Sequence, residues 1–274
     1  MPAWSGDPHR HRGRVCHVTQ EGVDGQPRTR PLGTGPSPES RPVSYGRDVA
    51  GRLPQRWIVL LPLKRLGAAK SRLEHADRAL LALAMATDTA TAVAAAGTDV
   101  VAGVLVVTND PAASAAVEAG AGAHGGAPVL AVPDLPDRGL NPALRHGARL
   151  AAGRWPGHGV AAMSADLAAL RPGELRAALL AAPRSGRAVL ADAAGTGTVL
   201  LCAAPGSELA PRFGVDSHAR HLRSGAVDLT GALGAGVPGL RRDVDTVADL
   251  AAARLLGVGP ATSAVLGTAA ANAG

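Results

Sequence analysis

At 274 residues and 46% hydrophobic content, the chain is long enough for one large domain or two small ones. Its aromatic residues are three Trp, one Tyr and one Phe, which excludes an aromatic nucleic-acid platform and leaves Ala, Leu and Val to build the core. The net charge of +6 sits mostly at the start: residues 1–56 carry nine Arg against five acids (+4), and the rest carries 19 basic against 17 acidic groups (+2), so the body is near neutral.

Residues 1–55, rich in Pro, Gly, Arg, His and Ser without apolar periodicity, are expected to be a disordered basic N-terminal extension. It lacks the apolar region of a signal peptide. From Trp57 short apolar runs alternate with Ala/Leu-rich stretches. Strands are predicted at 57–62, 101–108, 128–132, 159–164, 187–191 and 198–203. Helices are predicted at 72–96, 111–120, 141–152, 172–182 and 246–256. Ser71-Arg-Leu-Glu74 and Thr246-Val-Ala-Asp249 read as capping boxes, and Pro172 suits a first helical position. The alternation predicts one α/β domain over 56–260, with a mostly parallel sheet and helices on both faces. Residues 204–242 are expected to cover the strand ends, and 261–274 to form a C-terminal tail. Cys16 and Cys202 make no metal or disulfide pattern. The apolar stretch 79–96 is broken by Thr87, Asp88, Thr89 and Thr91, so the reading is a soluble cytoplasmic protein with no membrane partner.

Four sets of residues are candidates for chemistry. The first is the loop after the first strand, which holds both lysines of the chain, Lys64 and Lys70, with Arg72; the other basic residues are all arginine. A phosphate there would meet cationic side chains and the free N–H groups of a helix start. The loop matches neither the Walker nor the GxGxxG pattern, and an ordinary solvated turn is the alternative. The second set is Asp166 at a strand end with Asp243 and Asp245 before a capped helix. Carboxylates at strand ends overhang the carboxyl edge of a parallel sheet, where they could hold Mg²⁺. Alternatively Asp245 helps cap the helix, and Asp243 forms a surface ion pair with Arg241 or Arg242.

The third set is GTGT at 195–198 with PRFGVDSHARHLRSGA at 211–226. Thr198, Ser217, backbone N–H groups near Gly214, and Arg212, Arg220 and Arg223 could surround a small anion. Arg220 with Arg223 equally reads as a solvated helix face, and His218 with His221 as surface histidines. The fourth is Asn141, followed by Pro142, which either caps its helix or faces a nucleotide base or ribose.

Seven segments occur in the order found in one family: WIVLLPLKRLGAAKSRL, VLVVTND, GLNPAL, SADLAAL, GTGTVLLCA, PRFGVDSHARHLRSGA and RRDVDTVADLAAARLLGVG. The chain thereby resembles the 2-phospho-L-lactate/phosphoenolpyruvate guanylyltransferases of deazaflavin coenzyme F-420 biosynthesis, over about residues 56–260 and nearest the actinobacterial branch. The resemblance implies a single Rossmann-like nucleotidyltransferase domain. It places Mg²⁺ on Asp166, Asp243 and Asp245, phosphoenolpyruvate on Thr198, Gly214 and Ser217, and the nucleotide phosphates on Lys64, Lys70 and Arg72. The family commonly reads DLP at the first acid, where this chain has Asp166-Leu167-Ala168.

The implied reaction joins phosphoenolpyruvate to the GMP moiety of GTP with release of pyrophosphate. Lys64, Lys70 and Asp166 would carry the catalysis, and Asn141 would touch the nucleotide. The reactive product suggests handover to the next enzyme of the pathway. Two other readings remain open: a nucleotidyltransferase using 2-phospho-L-lactate or another small phosphorylated acceptor with a different nucleotide, and a non-catalytic nucleotide-sensing module.

Overall fold

The computed structural model describes residues 55–64, 78–122 and 125–272. Lys70, Arg72, the Ser71–Glu74 capping box and the N-terminal extension as far as residue 54 lie outside the described residues.

Among the described residues, seven strands form one sheet: β1 (Trp57–Pro62), β2 (Val101–Val107), β3 (Val129–Val132), β4 (Gly159–Met163), β5 (Arg187–Ala191), β6 (Thr198–Ala203) and β7 (Ala226–Asp228). Their order is β3-β2-β1-β4-β6-β5-β7. All neighbours pair in parallel except β6, which runs against both β4 and β5. The apolar runs are continuous because both sheet faces are covered. Within β1, Trp57, Val59 and Leu61 enter one core cluster while Ile58 and Leu60 enter another.

The first cluster is closed by α1 (Arg78–Ala94), α2 (Pro111–Gly122) and α4 (Pro172–Ala181), through Ala86, Val93, Val117, Leu175 and Leu179. The second is closed by α3 (Leu140–Arg154) and α5 (Ser217–Arg223), through Leu144, Ala151 and Leu222. Pro172 takes a first-turn position of α4, where its missing N–H costs nothing. The 204–242 stretch is more ordered than its composition suggests: besides α5 and β7 it contains the short α6 (Thr230–Leu233) and a 3₁₀ turn.

Two further helices, α7 (Val247–Leu256) and α8 (Pro260–Asn272), complete the fold. Helix α7 opens on the expected capping box, with Asp249 N–H donating to Thr246 Oγ1 at 3.2 Å and the Asp249 carboxylate accepting from Thr246 N–H at 2.9 Å. Helix α8 occupies the stretch expected as a tail. Its first turn is held from outside, because Asp88 of α1 accepts hydrogen bonds from the N–H groups of Ala261 and Thr262. Such a cap satisfies donors that a helix start leaves open. Among the described residues, no helix is long and apolar enough to cross a membrane.

Candidate active site

The strand directions bring four segments to one edge of the sheet. Lys64 follows β1 and is exposed; Asp166 follows β4; Asp192 follows β5. Because β6 is reversed, its first residue, Thr198, reaches that same edge. The segment carrying Asp243 and Asp245 arrives from the connection between the 3₁₀ turn and α7.

A third apolar cluster brings the acids together. It contains Ala168 and Ala169, just after Asp166, and Val244, between Asp243 and Asp245. Leu81 and Met85 of α1, Leu250 and Ala253 of α7, and Val265 and Leu266 of α8 complete it. Gly239 lies so close to the Ala169 carbonyl that a Cβ would come within 2.2 Å. Glu174 accepts from the backbone N–H groups of Gly239 and Leu240, fixing the approach to Asp243. The turn after Asp166 is held by Thr89 of α1, whose hydroxyl accepts from Leu167 N–H at 3.1 Å.

The electrostatic result is a crowd of negative charge. Burial, then the charges of Asp166, Asp245 and Asp192, push the Asp243 carboxyl up to about 7. The alternatives for these acids take definite forms. Thr246, not Asp245, is the capping side chain of α7. Arg241 directs its guanidinium at the carbonyls of Ala191 and Asp192. Among the described residues, no group of three or more His, Cys, Asp or Glu side chains, Asp166, Asp243 and Asp245 included, is arranged to hold a metal ion. The donor chemistry nonetheless suits Mg²⁺, which commonly takes one or two carboxylates and completes its shell with substrate phosphates and water.

Asp192 escapes a reading by motif, though an Asp three residues before a Gly-Thr-Gly run is an Asx-turn signal. Its carboxylate accepts from Thr196 N–H at 3.1 Å and Gly197 N–H at 2.9 Å, which shapes the GTGT turn ahead of Thr198. A Cβ on Gly197 would meet that carboxylate at 2.2 Å, so a larger residue there would push Asp192 off the turn it holds.

Thr198 and Ser217 are both buried, and Gly214, at φ 118°, lies between them in the chain. The 211–226 stretch is tied to the GTGT turn by the His218 N–H, which donates to the Thr196 carbonyl. His221 is not a surface histidine. It is fully buried one turn beyond Ser217, its Nδ1 lies 3.0 Å from Thr198 Oγ1, and its Nε2 accepts from the Arg212 N–H at 2.8 Å. Burial, followed by the charges of Arg187, Arg220, Arg212 and His218, pushes its pKa down to about 4. His218 also has a partner, Asp228, at 3.3 Å.

Arg220 likewise departs from a solvated helix face. Its Nε and one Nη are buried with no hydrogen-bond partner among the described residues. That Nη would lie 3.1 Å from a Cβ on Gly214, so the guanidinium stands directly beside the glycine. Asn141 does not cap its helix either. Its side-chain amide clamps Phe213, accepting from Phe213 N–H at 2.8 Å and donating to the Phe213 carbonyl at 3.1 Å. Cys202 is buried with its thiol pushed up to about 12, which leaves it inert.

No family model matches the chain. It is 58% identical over 223 residues to a phosphoenolpyruvate guanylyltransferase of Frankia casuarinae, covering 77% of this chain and 76% of that one. It is 54% identical over 228 residues to the protein of the same description from Salinispora arenicola, covering 80% and 98%. Among solved structures, a nucleotidyl transferase from Methanothermobacter is similar at 20% identity and a TM-score of 0.48, over 74% of this chain and 97% of that one.

Proposed function

The chain belongs to the phosphoenolpyruvate guanylyltransferase family, and from that premise we propose that its carboxyl-edge site transfers GMP from GTP to phosphoenolpyruvate with release of pyrophosphate. A phosphate oxygen of phosphoenolpyruvate attacks the α-phosphorus of GTP. The P–O bond to the β-phosphate breaks, and pyrophosphate leaves with that electron pair. The nucleophile is already an anion at neutral pH, so no general base is needed. The buried ring of His221 faces Thr198 and backbone, and so is engaged in structure.

The barrier is repulsion between two polyanions, and the chain's residues lower it from two sides. Asp166, Asp243 and Asp245 would hold Mg²⁺, which supplies charge neutralisation at the α-phosphate. The observation that supports this assignment is the apolar cluster shared by Ala168, Ala169 and Val244, which brings the segments of Asp166 and of Asp243 and Asp245 together from distant parts of the sequence, with the charge of Asp166 among those that raise the Asp243 carboxyl. Lys64 at the end of β1, with Lys70 and Arg72, would stabilise the departing pyrophosphate. On the acceptor side, Thr198, Ser217 and the backbone at Gly214 would bind phosphoenolpyruvate, and the unpaired nitrogens of Arg220 supply the positive charge that such an anion requires. Asn141 would support this side through its clamp on Phe213, and its contact with the nucleotide remains part of the proposal.

The resulting enolpyruvyl-diphospho-guanosine is a labile ester, which favours direct handover within coenzyme F-420 synthesis. The test is pyrophosphate release with Mg²⁺, each of the four nucleoside triphosphates, and either phosphoenolpyruvate or 2-phospho-L-lactate. Turnover with GTP and phosphoenolpyruvate is the expected result. A preference for another nucleotide or for phospholactate would reassign the substrate, and release with no acceptor combination would leave a nucleotide sensor.

A further inference from the structure

Thr198 has one proton to give and two lone pairs to receive with. An anionic substrate can only accept, so the threonine serves it only if its own proton is not already spent. The structure fixes where that proton goes. His221 Nε2 faces the Arg212 backbone N–H at 2.8 Å, and a backbone N–H only donates. Nε2 is therefore the unprotonated nitrogen, and the neutral ring carries its proton on Nδ1, 3.0 Å from Thr198 Oγ1. The opposite tautomer would set two protons against each other at Arg212 and would consume the threonine proton at Nδ1.

The ring cannot easily turn to relieve this. It is fully buried, and Phe213 packs edge-on against it with centroids 5.1 Å apart. Phe213 is in turn clamped by Asn141 of α3. Burial, and then the surrounding guanidiniums, favour the neutral imidazole.

We propose that His221 is a positioning residue that donates from Nδ1 to Thr198 Oγ1, committing the threonine hydroxyl to donate its proton to the anionic acceptor substrate. This rests on the reading of Thr198 as an acceptor-binding residue. The chain Asn141–Phe213–His221–Thr198 then links helix α3 to the acceptor pocket, giving a role to a histidine whose sequence context, HARHLR, reads as solvent-facing.

The experiment uses the full chain with Mg²⁺ and compares Thr198→Val, His221→Leu and His221→Asn, the last of which can retain a side-chain N–H near the Nδ1 position. Expected results are a KM for phosphoenolpyruvate raised about tenfold or more in Thr198→Val and His221→Leu, partial rescue in His221→Asn, and an unchanged KM for GTP in all three. The Thr198→Val/His221→Leu double variant should be no worse than Thr198→Val alone. If Thr198→Val raises that KM while folded His221→Leu leaves it unchanged, the positioning role fails and the acceptor site stands. If Thr198→Val itself changes nothing, the acceptor-site reading fails and this inference with it. ¹⁵N NMR of the histidine-labelled wild type decides the tautomer without any variant: a neutral Nδ1–H ring at pH 7 supports the proposal, and an Nε2–H ring or an imidazolium overturns it.

Discussion

Val244 and Ala168 sit in the same apolar cluster, so the two segments that carry the site's acids rest on one floor. Side chains on either side of a buried valine are placed by how that valine packs. Val244→Ala is expected to cost about 2 kcal/mol of stability through lost burial and a residual cavity. It should also raise the Mg²⁺ concentration needed for half-maximal turnover, although no proposed ligand is altered. Thermal unfolding and a Mg²⁺ titration of pyrophosphate release check both parts.

Asp243 faces three other carboxylates from a largely buried position. Removing its charge should therefore help the fold and harm the chemistry. Asp243→Asn is expected to raise Tm in metal-free buffer at pH 8 while lowering turnover by at least about a hundredfold. Asp166→Ala should lose turnover to the same degree and stay folded. Near-normal turnover with Mg²⁺ in either variant would overturn the metal assignment.

Arg220 has two buried nitrogens without a hydrogen-bond partner among the described residues, and one of them stands beside Gly214. Arg220→Ala should raise the KM for phosphoenolpyruvate about tenfold or more and leave the KM for GTP unchanged. Arg220→Lys should recover only part of the loss, since an ammonium lacks the planar fork. Separate kinetic titrations of the two substrates are the check; a matching rise in both would place Arg220 elsewhere in the mechanism.

His221 gives the protein an acid sensitivity of known sign. Its folded pKa of about 4 lies below its unfolded value near 6.5, so the unfolded chain takes up a proton first as pH falls. The stability it contributes is complete above about pH 6.5 and is lost progressively toward pH 4. The slope from this one group is at most about 1.4 kcal/mol per pH unit. Urea unfolding of wild type and His221→Leu at pH 7, 6, 5 and 4.5 isolates the effect: the stability gap between them should narrow with acidification.

Much of the body was legible because strands covered on both faces leave a one-dimensional trace. WIVLLP and TVLLCA are unbroken apolar runs, and both are strands that are buried almost throughout. The Thr246–Asp249 capping box was equally local and formed as expected. What sequence could not show was direction and depth. Nothing within TVLLCA says that β6 runs backwards. HARHLR looks polar, yet His221 is buried because Thr198 and the Arg212 backbone satisfy both its nitrogens. Helix α8 looked like a tail because its small residues show no clear apolar stripe. Its hold comes from α1, far away in the chain: Asp88 caps its first turn, and Val265 and Leu266 pack into the cluster of Leu81 and Met85. Lys70 and Arg72, singled out by their sequence context, lie outside the described residues.

On the proposed assignment, the reversal of β6 separates the residues that would act on the nucleotide from those that would hold the acceptor. Lys64 and Asp166 leave strands of the parallel half, whereas the acceptor candidates lie on the turn into a backward strand and on the helix that follows it. A short cassette, Gly195 to Thr198 with Gly214 to His221, could therefore be rewritten for a different small acid while Asp192, whose charge reaches Asp243, and the nucleotidyl-transfer half are kept. Swapping those two stretches between relatives with different acceptors is the economical way to redirect this scaffold.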